Sequence, residues 1–238
     1  MRAAYLECSD VDVGERARHG PLPTLLALLT LVTGFVDAVS YLKFGHVFVA
    51  NMTGNVVLLG FAVAGAPTIS ISGSLVALAA FACGAILGGR LNRRFASNRG
   101  NLLAVATAIK TPLMLAAAAV AYFQPGNGFA ILAALGVSMG LQNAVARALA
   151  IADVTTTVLT MTLTGLAADS SLAGGTNPRW LRRASAILTM FLGALCGAWI
   201  VLHAGVPIAL IAAAAIVATA GIGGYVLSRD DPQWVNPD

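Results

Sequence analysis

The chain has 238 residues, 58% of them hydrophobic and 10% charged, with a formal net charge of +4. Soluble domains carry about 25% charged residues, so this composition excludes an ordinary water-facing globule. The positive charge does not point to nucleic acid, because seven of the twelve arginines gather in two short stretches, residues 90–99 and 179–183, beside long apolar runs.

Residues 1–20 are polar and mixed in charge, and they read as a cytoplasmic tail. The apolar run that follows is too long for a cleaved signal core, so it stays as the first span. A transmembrane helix needs about 20 apolar residues. Runs at 21–42, 71–89, 101–123, 129–146, 184–203 and 206–228 meet that requirement. Basic residues beside spans fix orientation by staying on the cytoplasmic side, which is a stronger reading here than lipid-headgroup binding.

With the arginine stretches held inside, the first span runs outward and residues 71–89 run inward. Residues 43–70 must then leave and return on one face, turning at Asn51-Met52-Thr53-Gly54-Asn55. Residues 148–178 lie between Arg147 and the second arginine stretch, so they dip and return as well. Their Thr-rich stretch runs from Thr155 to Thr164 and includes Thr157, Thr160 and Thr162. The expected fold is an all-α polytopic membrane protein with six full spans and two re-entrant or broken segments. Its first membrane repeat covers 21–123, its second covers 129–228, and residues 229–238 form a short C-terminal tail. The rival arrangement makes 47–66 and 151–168 full spans and gives eight crossings.

Three pairs of segments match in order between the halves. Gly34-Phe35-Val36-Asp37-Ala38 pairs with Gly140-Leu141-Gln142-Asn143-Ala144. Met52-Thr53-Gly54-Asn55-Val56 pairs with Leu159-Thr160-Met161-Thr162-Leu163, and Gly84-Ala85-Ile86-Leu87-Gly88 with Gly193-Ala194-Leu195-Cys196-Gly197. Three spans per half is an odd number, so the second half is inverted, as in many transporters with midplane sites on broken helices. The stretch around Asp37, the later Ala50-Asn51-Met52-Thr53-Gly54-Asn55 and the second-half Gly140–Ala144 segment resemble the YoaK-like family of uncharacterised bacterial membrane proteins. The resemblance spans roughly residues 25–225 and implies a bacterial inner-membrane protein of about this size. It implies no substrate. The sequence departs from the expected second Thr-Gly by placing Met161 after Thr160.

Ionisable residues inside spans are costly and are functional candidates by default. Asp37 sits near the end of the first span, one turn after Gly34. Lys110 is deeper, at mid-span before Thr111-Pro112, too far from either end for easy snorkelling. A site containing both suits a zwitterionic or anionic metabolite. Asn51, Thr53, Gly54 and Asn55 at the first dip, with Thr160 and Thr162 at the second, can offer amides, hydroxyls and carbonyls to a solute or an ion. Packing between helices uses the same groups. Gln142 and Asn143 follow on the fourth span, with Asn143 in the place that Asp37 holds in the first half.

Gly84/Gly88, Gly136/Gly140 and Gly193/Gly197 have the four-residue spacing that brings helices close, within one chain or between two copies. Trp180, Trp199, Tyr41 and Tyr122 are placed as interfacial anchors. Cys8, Cys83 and Cys196 offer neither a disulfide framework nor a metal spacing, and His19, His46 and His203 sit at segment ends. No serine-hydrolase, metalloprotease or cofactor motif is present, so no enzyme, metal or cofactor is expected. The expected partners are the lipid bilayer and a small-molecule solute, with self-association through the glycine faces. The sequence thus suggests a transporter or channel for a polar or charged solute, with a non-transporting scaffold as the alternative.

Overall fold

The computed structural model describes residues 20–149, 159–176, 180–230 and 234–235. The N-terminal tail up to residue 19, Thr155 to Thr157 and Arg179 therefore lie outside the described residues. Within them the chain is all helical: α1 (Leu22–Lys43), α2 (Met52–Val63), α3 (Ile71–Arg94), α4 (Arg99–Phe123), α5 (Gly128–Leu149), α6 (Leu159–Ala168), α7 (Trp180–His203) and α8 (Val206–Asp230), with a short 3-10 turn at Ser171–Ala173. Six of these helices are long and apolar enough to cross a membrane. The sequence also marks the starts of several. Asn51, Ser70 and Asn98 are N-caps whose side chains accept the amides of Gly54, Gly73 and Asn101.

The helices run further than the apolar stretches that define the spans. Arg90, Arg93 and Arg94 belong to the last turns of α3 rather than to a loop, where a helix C-terminus favours positive charge. Residues 51–55 are a second correction. They do not turn; they cap and open α2, because Asn at an N-cap satisfies a leading amide as readily as it closes a turn.

At 12 residues α2 is about 18 Å long, well short of a hydrocarbon core of about 30 Å. The ends of its segment come back together. Gly45 O accepts the Ser70 amide at 3.0 Å, and His46 Nδ1 lies 2.9 Å from Thr68 O. The C-terminal end of α1 and the N-terminal end of α3 therefore share one end of the bundle.

Glycine contacts give the helix directions. Gly84 and Gly88 of α3 rest on the backbone of Val137 and Leu141 in α5, so these two helices run parallel. Gly193 and Gly197 of α7 rest in the same way on Leu31 and Phe35 of α1. From the other side, Gly140 abuts Phe81 and Ala85, and Gly34 abuts Met190 and Ala194. One constant step along the sequence carries Leu31, Gly34 and Phe35 onto Val137, Gly140 and Leu141. A second carries Phe81, Gly84, Ala85 and Gly88 onto Met190, Gly193, Ala194 and Gly197. In contrast, α4 and α8 run antiparallel, with Gly100 against Ser228 and Thr107 against Gly221. Eight alternating crossings would make α4 and α8 parallel. Six make them antiparallel, as observed.

These contacts also place the glycine pairs inside the chain. A Cβ at Gly84, Gly140 or Gly193 would collide with a neighbouring carbonyl, so those faces are already filled and are not open to a second copy. The two most buried spans are α1 and α5, each 67% buried, against 17% for α7. On α7, Leu188, Phe191, Leu195 and Trp199 are all more than half exposed and recur at helical spacing, as a lipid-facing stripe does. The helix directions gather the described arginines at one end, where α3, α5 and α8 finish and α4 and α7 begin. Trp234 is fully buried there against Gly20, and Val235 O accepts the Arg99 amide at 2.9 Å. Part of the expected C-terminal tail is thus packed onto the bundle.

Candidate functional site

A cavity of about 740 Å³ lies where the two short helices begin. The start of α2 contributes Asn51, Met52, Thr53 and Gly54, and the start of α6 contributes Leu159 and Thr160. The helix α2 belongs to the segment that closes at the Gly45–Ser70 end. The far end of α6 is tied to the arginine end, since Arg183 in the first turn of α7 donates to Gly165 O at 2.6 Å and to Asp169 Oδ2 at 2.7 Å. The short helices therefore enter from opposite ends of the bundle and present their N-termini to one cavity. Thr33, Asp37 and Tyr41, successive turns of α1, form another wall, with Phe81 of α3 and Met190 of α7.

Asp37 organises the entry to α2. It is 5% exposed, and its Oδ1 accepts the amides of Val49 at 2.9 Å and Ala50 at 2.8 Å. An anion beside a helix N-terminus is favourably placed. Asn55 clamps the same strap from the other side. Its Oδ1 accepts the Phe48 amide at 2.8 Å and its Nδ2 donates to Phe48 O at 2.6 Å. Asn55 is fully buried and does not line the cavity, so its polar side chain serves the backbone rather than a solute.

Lys110 stands apart from Asp37. It is 1% exposed, and its Nζ donates to Gln142 Oε1. Gln142 Nε2 in turn donates to Thr33 Oγ1 at 2.8 Å and to Leu29 O at 3.1 Å. The chain Lys110–Gln142–Thr33 thus joins α4, α5 and α1, and it reaches the cavity wall at Thr33. Among the described residues the ion pair is Arg183–Asp169, so Lys110 and Asp37 are held by neutral groups and not by each other. Asn143 donates to Met139 O within its own helix and is buried away from the cavity, as is Thr162.

Of the residues singled out from sequence, Asp37, Asn51, Thr53, Gly54 and Thr160 line the cavity. Lys110 and Gln142 lie behind it, and Asn55, Asn143 and Thr162 are buried elsewhere. Residues 25–223 match the family model described as protein of unknown function DUF1275. The chain belongs to that family. It is 38% identical over 150 residues to the UPF0700 transmembrane protein YoaK of Bacillus subtilis (strain 168), an alignment covering 62% of this chain and 67% of that protein. No solved structure matches the chain. This member of the family is a multi-pass membrane protein, and its whole cavity lining falls within the matched stretch.

Sequence reasoning missed Thr33, Tyr41, Phe48, Phe81 and Met190 on the cavity wall of this family member. Thr33 and Tyr41 had a signal, since each is one turn from Asp37 on the same helical face. Phe81 and Met190 each lie three residues before a close-packing glycine, at matched positions in the two halves.

Proposed function

We propose that the protein moves a small polar or charged solute across a bacterial cytoplasmic membrane, with both termini on the cytoplasmic side and the cavity between the short helices as its path. The observation that carries this reading is the pair of interrupted helices aiming their N-termini into one cavity from opposite ends of the bundle. Transporters built from inverted repeats put their sites at such broken helices. The matched glycine contacts of α1/α7 and α3/α5, with the antiparallel α4 and α8, support an inverted repeat of three spans and one short helix per half. The arginine end supports the orientation, since basic residues collect on the cytoplasmic side. In this reading the chain is not an enzyme. The scaffold alternative relied on open glycine faces, and those faces pack within the chain.

Thiol accessibility tests the path. In a background with Cys8, Cys83 and Cys196 replaced, Thr53→Cys and Thr160→Cys should react with a small water-soluble thiol reagent. Leu195→Cys, on the exposed apolar stripe of α7, should not. Unreactive cysteines at both cavity positions, in protein that still folds, would remove the aqueous path and the transport reading with it.

A further inference from the structure

Among the described residues Asp37 is the one formally charged side chain on the cavity wall, since Lys110 lies behind that wall and spends its ammonium on Gln142. The hydrogen bonds from Val49 and Ala50 both fall on Oδ1, and the Asn51 amide also faces the carboxylate. A carboxylate has about four lone-pair sites, so the group keeps acceptor capacity for a ligand. Around it the wall is aromatic and soft. Tyr41 and Phe48 stack with centroids 4.8 Å apart, Phe81, Met52 and Met190 add to that surface, and Thr33, Asn51, Thr53 and Thr160 are its neutral polar groups. Resting on the passage proposed above, we infer that the cavity takes a small organic cation, a quaternary ammonium or a protonated amine. In that arrangement Asp37 is the counter-charge, and Tyr41, Phe48 and Phe81 are the faces over which the cation sits.

The alternatives meet specific obstacles. An anion would meet the Asp37 carboxylate as a like charge, and the strap amides of Val49 and Ala50 and the helix amide of Gly54 are already taken by Asp37 and Asn51. A neutral solute would leave a carboxylate uncompensated in a mostly apolar wall, which is costly. A cation answers the carboxylate and gains from the ring faces as well. The sulfur atoms of Met52 and Met190 are polarisable and tolerate a diffuse charge against them.

The test uses the purified full chain in lipid nanodiscs and three probes of nearly one shape. These are choline, its uncharged carbon isostere 3,3-dimethylbutan-1-ol, and the anion 3,3-dimethylbutanoate. Choline should raise the unfolding temperature saturably, and the isostere and the anion should not. Asp37→Asn keeps an oxygen for the Val49 and Ala50 amides, and it should weaken the choline response at least about tenfold through loss of a desolvated charge partner. Tyr41→Leu and Phe81→Leu leave the strap bonds untouched. Each should weaken the response roughly 2–30-fold, the range that a cation–π contact covers. An absent choline response, or an equal response to choline and its isostere, overturns the cation assignment. So does undiminished choline binding in Asp37→Asn. If that variant does not fold, wild-type binding in both aromatic variants overturns the assignment instead. None of these outcomes touches the passage itself, which stands or falls on labelling at Thr53 and Thr160.

Discussion

Asp37 and Lys110 show how differently one bundle can treat two buried ionisable groups. The carboxylate holds backbone in place, so its removal has a structural cost that can be ranked. Asp37→Ala leaves the amides of Val49 and Ala50 buried without an acceptor, at about 1–3 kcal/mol for each group. Asp37→Asn keeps an acceptor oxygen. Thermal unfolding in one detergent should therefore rank wild type above Asp37→Asn and Asp37→Ala last, and equal losses in the two variants would mean that charge rather than the strap sets stability. The ammonium is the opposite case. It has a single neutral partner, and burying a charge without a counter-charge costs several kcal/mol even after relaxation. Lys110→Met relieves that cost and strands only Gln142 Oε1, at about 1–3 kcal/mol. The variant should melt no lower than wild type. A clear drop in melting temperature would show that Lys110 is primarily a structural tie between α4 and α5, and would argue against a part in solute movement.

At the scale of helices, the close crossings are the most sensitive points. Gly84→Leu and Gly193→Leu each drive a side chain into the carbonyl of the facing helix, Val137 in one case and Leu31 in the other. Backbone cannot yield as a flexible side chain can, so each variant should lose at least about 1–3 kcal/mol and accumulate poorly as folded protein. Gly60→Ala and Gly89→Ala meet nothing within 4 Å and should be neutral or gain about 0.5–1 kcal/mol from the restricted unfolded chain. Similar outcomes for the two groups, read by size-exclusion chromatography and melting, would mean that these helix pairs do not pack as described. The same crossings mark the limit of what the sequence could tell. Length and hydropathy were enough for the six spans, and charge was enough to require that residues 43–70 return to their starting face. Four-residue glycine spacing looks the same whether its partner is in the chain or in another copy, so its intramolecular use could not be read. Nor could the helix that begins at Asn51, because an Asn-rich segment serves a turn and an N-cap equally well. Asp37, Asn51 and Thr53 were legible as candidates for one cavity wall because polar residues at membrane depth are conspicuous. Phe81 and Met190 were not, since an apolar residue becomes part of a cavity only through the packing of other helices.

For the molecule as a whole, the decisive relation is that between α4 and α8. The pairing of Gly100 with Ser228 and of Thr107 with Gly221 makes these helices antiparallel, and the short turns at 95–98, 124–127 and 204–205 reverse their neighbours. Together with the parallel pairs α1/α7 and α3/α5, this leaves no crossing for α2 or α6. It also fixes which loops share a side. Residues 70 and 126 belong to one end of the bundle, and residue 97 belongs to the arginine end. With the native cysteines replaced, Ser70→Cys and Gly126→Cys should react with a membrane-impermeant thiol reagent in intact cells. Ser97→Cys should react only after permeabilisation, in the orientation proposed above, in which basic residues stay on the cytoplasmic side. Reversal of all three would invert the orientation and leave the fold intact. Labelling of positions 70 and 97 from the same side would mean that α3 does not separate them. The antiparallel α4 and α8, the return of residues 46–69 to their starting end and the opposed entry of the two short helices would then fail together, because all three follow from the same alternation of six spans.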